Sequence, residues 1–226
     1  MTRNSKFQLL SAFVMGLVFT AALVPQPATA ASVTAIGVAP PGENALEFIG
    51  QIDQVGTSFT SYGYLTYVYN LPDALLFSDP TIHSEATAQI TYFATATANA
   101  GGHAALANII VHDSTGTVTF YFNKASGASS FKDPKSFASG VAILTASLRS
   151  QDILNVQGVN LGIATGISEF NQKTAGSFTI QGQDYQLGNV GLLERFSFVG
   201  EGTRSAAGPQ GTIVVAGYAE VTGKAS

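Results

Sequence analysis

Apolar and polar residues alternate along most of the chain after residue 44, and no segment there carries apolar residues at helical spacing. In the segment 86–97 the even-numbered residues are small or apolar, and all but one of the odd-numbered residues are threonine or glutamine. A period of two places successive side chains on opposite faces of a strand. The β-branched threonines suit a half-buried pleated surface. The sequence therefore predicts an all-β protein.

These alternating runs indicate about ten strands, separated by turn signals at the spacing typical of barrels and sandwiches. The predicted fold is a single antiparallel β-barrel, or a barrel-like sandwich, of about eight to ten strands within residues 45–226. The clearest predicted hairpin turn is 113–116, which reads Asp-Ser-Thr-Gly. The only helical candidate is one turn near 133–137, where Asp133 can cap and Pro134 can occupy the first turn.

Residues 1–30 have the pattern of a signal peptide. Arg3 and Lys6 precede an apolar run at 9–24, and Ala28 and Ala30 stand at the positions that signal peptidase requires. We expect cleavage after residue 30.

The alternative for the same segment is a retained membrane anchor, which Pro25 and Pro27 disfavour. We therefore expect a secreted or periplasmic protein with no stable membrane anchor after cleavage. Residues 31–44 have little to bury and are predicted to form a flexible N-terminal arm.

Charge and composition exclude several functions. Removing residues 1–30 leaves 8 basic and 14 acidic side chains, a net charge of 8 − 14 = −6, and no basic run, so no nucleic-acid partner is expected. The chain has no cysteine, which excludes thiol catalysis and thiolate metal sites. Its histidines, His83, His103 and His112, lack the spacing that places two imidazoles on one metal. No metal site, cofactor or catalytic residue is predicted.

The first candidate binding residues are Tyr62, Tyr64 and Tyr67, on a strand that is apolar or aromatic on both faces. If Tyr62 and Tyr64 face away from a core that Tyr67 enters, a second copy of the chain could cover them. Alternatively, Tyr62 and Tyr64 lie in a barrel lumen and orient a ligand. As a third interpretation, the tyrosines are ordinary sheet surface.

The second group of candidate binding residues is Glu194, Phe196 and Phe198, which share one strand face with Leu192. If that face lines the interior, the Glu194 carboxylate lies in an apolar site and its pKa should be raised, as for a general acid or the polar anchor of a ligand. The alternative is a carboxylate near solvent, paired with Arg149 or Arg204. Glu169 is a second candidate for a carboxylate in the interior, with weaker support from the sequence pattern.

An export signal followed by one antiparallel barrel resembles, in architecture, small secreted barrels such as lipocalin-like binders and the allene oxide cyclase and dirigent barrels. No defining motif of these groups is present. The chain has no tryptophan and so lacks the lipocalin Gly-x-Trp, and no functional residue is carried over.

Three classes of function are compatible with the sequence. The favoured one is an exported non-catalytic barrel that binds an apolar small molecule or joins a surface or extracellular assembly, including a homo-oligomer. The second is a cofactor-free, cyclase- or isomerase-like enzyme whose apolar lumen holds a reactive intermediate in one shape. The third is an outer-membrane barrel, against which no aromatic girdles are evident.

Overall fold

The computed structural model describes residues 32–99, 103–124, 127, 129–205 and 210–224, so the predicted signal peptide lies outside the described residues. The strands are β1 (Thr34–Ile36), β2 (Asn44–Val55), β3 (Ser58–Val68), β4 (Ile90–Ala98), β5 (His103–Leu106), β6 (Ile109–Phe122), β7 (Val141–Gly158), β8 (Leu161–Ala175), β9 (Ser177–Ile180), β10 (Gln183–Leu187), β11 (Leu192–Arg204) and β12 (Gly211–Lys224). Two 3-10 turns, Asp73–Leu75 and Pro134–Ala138, complete the described secondary structure. The all-β prediction is confirmed. None of these elements is a helix long and apolar enough to span a membrane.

Eight strands form a closed antiparallel barrel, which confirms the predicted fold class. Each of β2, β3, β4, β6, β7, β8, β11 and β12 pairs with the next of this series, and β12 pairs with β2 to close the ring. β5 pairs with the first residues of β6. β1, β10 and β9 form a separate three-stranded sheet.

The stagger of the barrel follows from its cross-strand pairs. From Ile110 on β6, successive partners run around all eight strands and return to β6 at Phe120, a shift of 120 − 110 = 10 residues. An eight-stranded barrel has an interior that side chains nearly fill or that holds one small ligand. The lumen is therefore narrow.

One end of the barrel is closed by the long connections and the small sheet. Phe178 of β9 lies 4.7 Å from Phe122 at the end of β6, measured between ring centroids. Ile36 of β1 and Leu187 of β10 are fully buried beside them. The segment 31–44 was expected to be a flexible arm, but its residues Thr34–Ile36 pair with β10 and belong to the folded domain.

The predicted hairpin at 113–116 is wrong, because β6 runs straight through it. A Cβ atom on Gly116 would overlap the carbonyl oxygen of Thr95 on β4, so this glycine allows two strands to approach closely. The chain reverses earlier, after β5, where Ala107 has a φ of 56°. The short helical turn is confirmed, with the Asp133 carboxylate accepting a 3.3 Å hydrogen bond from the amide of Lys135.

The three candidate tyrosines lie outside the lumen. β3 alternates as predicted as far as Leu65, and the register then shifts at a bulge that places Tyr67 opposite Glu47. Tyr67 therefore does not enter the core, contrary to the first interpretation. Tyr62 and Tyr64 face out of the barrel, so the lumenal interpretation is also wrong.

Tyr62 and Tyr64 are nevertheless buried, because the chain's own connecting segments cover them. The Tyr62 ring lies 5.4 Å from that of Phe137, and the Tyr64 ring lies 6.2 Å from that of Phe77. The Tyr62 hydroxyl donates a 2.8 Å hydrogen bond to Asp53. A second copy of the chain is not needed to cover these rings.

Candidate binding site in the barrel lumen

The lumen contains a cavity of about 80 Å³ near the end that carries the short connections. Its wall is mostly apolar and includes the aromatic residues Phe48, Phe59, Tyr92, Phe120, Phe170, Phe196 and Phe198. The rings of Phe170 and Phe196 stack with centroids 3.7 Å apart. The cavity is therefore an apolar slot between aromatic rings.

Glycines on neighbouring strands make room for these rings. A Cβ atom on Gly50 would overlap the Tyr92 hydroxyl, and one on Gly166 would overlap the Phe198 ring. A Cβ on Gly217 would lie 2.7 Å from the tip of Phe48. Because the barrel is narrow, these large rings fit where a glycine on a nearby strand leaves the space of a side chain empty.

Polar side chains occupy one side of the cavity. Ser114, Ser150 and Ser168 are cross-strand neighbours on β6, β7 and β8, and all three line the cavity. The hydroxyls of Ser150 and Ser168 lie 3.0 Å apart. The Ser150 hydroxyl also donates a 2.8 Å hydrogen bond to Oδ1 of Asp152.

Asp152 is the acidic residue of the cavity wall. Burial raises its pKa to about 6; the Ser150 hydrogen bond opposes the rise, and the charge of Asp113 adds to it. His112 is the cross-strand neighbour of Asp152, and its ring lies 6.0 Å from that of Phe59. This carboxylate can accept hydrogen bonds from a molecule that enters the cavity.

The Tyr92 hydroxyl is a second polar group of the lumen. It is buried and has no hydrogen-bond partner among the described residues. Burial raises its pKa, and the nearby Ser61 hydroxyl opposes this without reaching hydrogen-bond geometry. The phenol therefore stays protonated and can donate to a ligand oxygen.

Glu194 faces the interior, the first of the two positions that the sequence left open for it. It is 2% exposed, and burial raises its pKa to about 7, an effect that a side-chain hydrogen bond from Gln172 opposes. Its Oε1 atom has no hydrogen-bond partner among the described residues. Glu194 does not line this cavity; it lines a separate pocket of about 310 Å³ between residues of β7, β8, β11 and β12.

Among the described residues, no ion pair joins Glu194 to Arg149 or to Arg204, the partners considered for it. Arg149 and Arg195 both lie 3.9 Å from Glu169, on the outer face of the barrel. Glu169 is therefore not a second interior carboxylate, contrary to the weaker case considered for it.

Of the residues that the sequence singled out, Phe196 and Phe198 line the cavity. The sequence analysis did not single out Asp152, which lies on the inward row of the continuous strand β7. The signal was present, since Leu148, Ser150 and Asp152 continue one alternating row.

The described residues contain no group of three or more His, Asp or Glu side chains placed to hold a metal ion. No protein-family model matches the chain, and no curated protein or solved structure matches it significantly. The lumen combines an apolar slot with one carboxyl group, the phenol of Tyr92 and four serine hydroxyls.

Proposed function

We propose that this protein is an exported, non-catalytic binder of a small apolar molecule that carries a hydroxyl or amine group. The observation that supports it is the aromatic cavity with Asp152 in its wall. Binding sites of this kind are mostly apolar, with a few polar groups that fix the orientation of the ligand.

The size of the cavity limits what can enter. Its volume is about 80 Å³, and a buried apolar cavity of about 150 Å³ accepts benzene. The lumen therefore accepts a short alkyl chain or the end of a larger molecule. The remainder of a larger ligand would lie at the mouth, near Phe59 and Phe198.

The polar groups select the ligand's functional group. With a pKa of about 6, the Asp152 carboxyl is mostly ionised at neutral pH and accepts hydrogen bonds. A hydroxyl can donate to Asp152 or accept from Tyr92, and an amine can donate to Asp152. A carboxylate ligand would be repelled by Asp152.

Export is the second part of the proposal, and the pattern of residues 1–30 supports it. N-terminal sequencing of the protein recovered outside the cytoplasm tests it. A mature chain that begins at residue 31 is expected, and an intact N-terminus in the membrane fraction would contradict it.

The binding test uses hexanol, hexylamine and hexanoate as probes, with NMR chemical shifts and titration calorimetry as readouts. Hexanol and hexylamine are expected to bind and to shift the signals of the lumenal residues, whereas hexanoate is not. Ala94→Leu should abolish binding, because Ala94 is buried in the cavity wall.

The matched control is Thr95→Leu, which places the same side chain on the exposed outer face of β4. It should bind both probes as the wild type does. If neither probe binds the wild type, or if Ala94→Leu leaves binding unchanged, the lumen is not the binding site.

A proton-transferring enzyme is the second candidate function, and the Asp152 carboxyl favours it. A pKa of about 6 suits a general acid or base near neutral pH. Turnover of a bound compound by the wild type, with loss of turnover but not of binding in Asp152→Asn, would establish an enzyme in place of a binder.

A further inference from the structure

The outer surface of the barrel exposes a continuous group of large apolar side chains. These side chains are 36–60% exposed, and we call them the outer apolar face: Ile49, Ile153, Leu161, Ile163, Ile167, Val199, Val214 and Tyr218. They lie on β7, β8, β11, β12 and β2, which are consecutive neighbours in the sheet.

The register shows that these side chains adjoin one another. Ile153, Thr165, Val199, Ala216 and Ile49 are successive cross-strand partners, so one row crosses five strands with a single polar member. Directly paired side chains on one face of a sheet lie about 5 Å apart at Cβ. The outer apolar face is therefore continuous, and because it covers five of the eight strands it curves around about half of the barrel.

The apolar area of this face is close to the area that each partner buries in a specific interface. Side chains of this size that are about half exposed present together on the order of 600 Å², the upper end of what a soluble monomer usually exposes. A specific interface buries about 800 Å² on each partner, including its polar rim.

The charges of β11 indicate what covers this face. The outward residues in the middle of β11 are Arg195, Ser197, Val199 and Glu201 in order, so a positive and a negative charge flank the centre of the strand. Arg195 also lies 3.9 Å from Glu169 of β8 on the same surface. A second copy related by a two-fold axis that lies in the plane of the interface, and that crosses β11 at right angles at the middle of this stretch, brings each Arg195 opposite the Glu201 of the other copy. Such an interface is self-complementary, as two-fold symmetry requires.

We propose that the outer apolar face is the contact surface of a two-fold homodimer, with Val199 near its centre and Arg195 opposite Glu201 of the second copy. Packing of the two copies face to face would bury the apolar side chains of the three central strands, β8, β11 and β12. A lipid surface suits this face less well, because Glu201 lies between Ile163 and Val214 in the register, and a charge facing hydrocarbon is costly.

The test is sedimentation velocity on the purified exported protein without detergent, over a hundredfold concentration range. The wild type should be a dimer, and Val199→Lys should weaken dimerisation at least tenfold. Thr117→Lys, an exposed outer residue of β6 on another part of the barrel, is the matched control and should dimerise as the wild type does.

Charge reversal tests the assigned pairing. Arg195→Glu and Glu201→Arg should each weaken dimerisation about tenfold, because each places like charges together, and the double variant should recover to within about threefold of the wild type. Circular dichroism should be unchanged in all variants, since the exposed side chains do not support the core.

Three results would overturn the proposal. The first is a wild type that stays monomeric at every concentration, the second is dimerisation that Val199→Lys leaves unchanged, and the third is a double charge reversal that fails to recover. Association of the monomer with phospholipid vesicles, in place of dimerisation, would assign this face to a membrane. None of these outcomes depends on whether the lumen binds a ligand.

Discussion

The carboxylate of Asp152 and the hydroxyl of Ser150, two residues apart on the inward row of β7, share a 2.8 Å hydrogen bond inside the lumen. This arrangement couples the charge state of the cavity to pH, because the Asp152 pKa of about 6 lies close to physiological pH.

The first prediction concerns the pH dependence of binding. The affinity for hexylamine should increase as pH rises through about 6, because only the ionised Asp152 attracts the ammonium group. Hexanol affinity should change much less, and Asp152→Asn should remove the pH dependence for the amine. Calorimetric titrations of each ligand into the wild type and into Asp152→Asn, between pH 5 and 8 in roughly half-unit steps, measure these affinities. An unchanged amine profile in Asp152→Asn would show that another group is responsible.

The second prediction concerns Glu194 and stability. Its pKa is raised from 4.5 to about 7, so the folded state binds more protons than the unfolded state between these values. The free energy of unfolding should therefore fall as pH rises through this window, and the contribution of the protonated group is lost above about pH 7. Glu194→Gln should raise the free energy of unfolding at pH 8 by roughly 2–3 kcal/mol and have little effect at pH 4. Urea unfolding at both pH values measures this, and an equal effect at both would contradict the proposed cause.

The third prediction concerns close strand approach. A Cβ atom on Gly63 would lie 2.6 Å from the Cα of Gly50 and still closer to the carbonyl oxygen of Ile49, both in the backbone of β2. Gly63→Ala should destabilise the fold by about 3 kcal/mol or lower its yield sharply. Gly158→Ala is the control, since a Cβ there contacts nothing within 4 Å. Thermal unfolding compares the two, and a neutral Gly63→Ala would mean that β2 and β3 can separate.

The fourth prediction concerns the segment that covers Tyr62. Phe137 is fully buried against the outer side of the barrel, and its carbonyl oxygen accepts a 2.7 Å hydrogen bond from the Thr91 hydroxyl. Phe137→Ala should lower the free energy of unfolding by about 3–5 kcal/mol. Tyr62→Phe should cost only about 1 kcal/mol, through the lost bond to Asp53. Neither change should alter the dimerisation constant, and a monomeric Tyr62→Phe protein would show that Tyr62 lies at the interface after all.

The alternation of side chains was sufficient to predict the barrel, but it left open whether Glu194 faces the interior or the solvent. In an eight-stranded barrel each strand has one face inside, so Leu192, Glu194 and Phe196 could be assigned together from their period of two. The same rule, extended through residues 148–152, would have placed Asp152 in the lumen. The cavity in the lumen could not be predicted, because its position and size depend on which strands face each other across the barrel.

Two local features were not accessible from the sequence. Gly116 follows Asp, Ser and Thr, a sequence typical of a turn, but in the structure it allows β4 and β6 to approach closely. Only the strand pairing distinguishes a turn glycine from a glycine at a close contact between strands. The bulge in β3 inserts one residue and moves Tyr67 to the opposite face from the one that strict alternation assigns. A single inserted residue leaves no mark in composition.

The strands of the barrel follow one another in chain order, and the ring closes only through the pairing of β12 with β2. Up to that point each pairing in the ring joins strands that are consecutive or separated only by the short strands β5 or β9 and β10, and the growing sheet has two open edges. The closing contact spans nearly the whole domain, and contacts of such long sequence separation slow folding. If the chain is exported unfolded through a translocase, as we propose, its last strand is also the last part of the barrel to emerge. On that proposal the barrel cannot close until almost the whole chain has reached the far side.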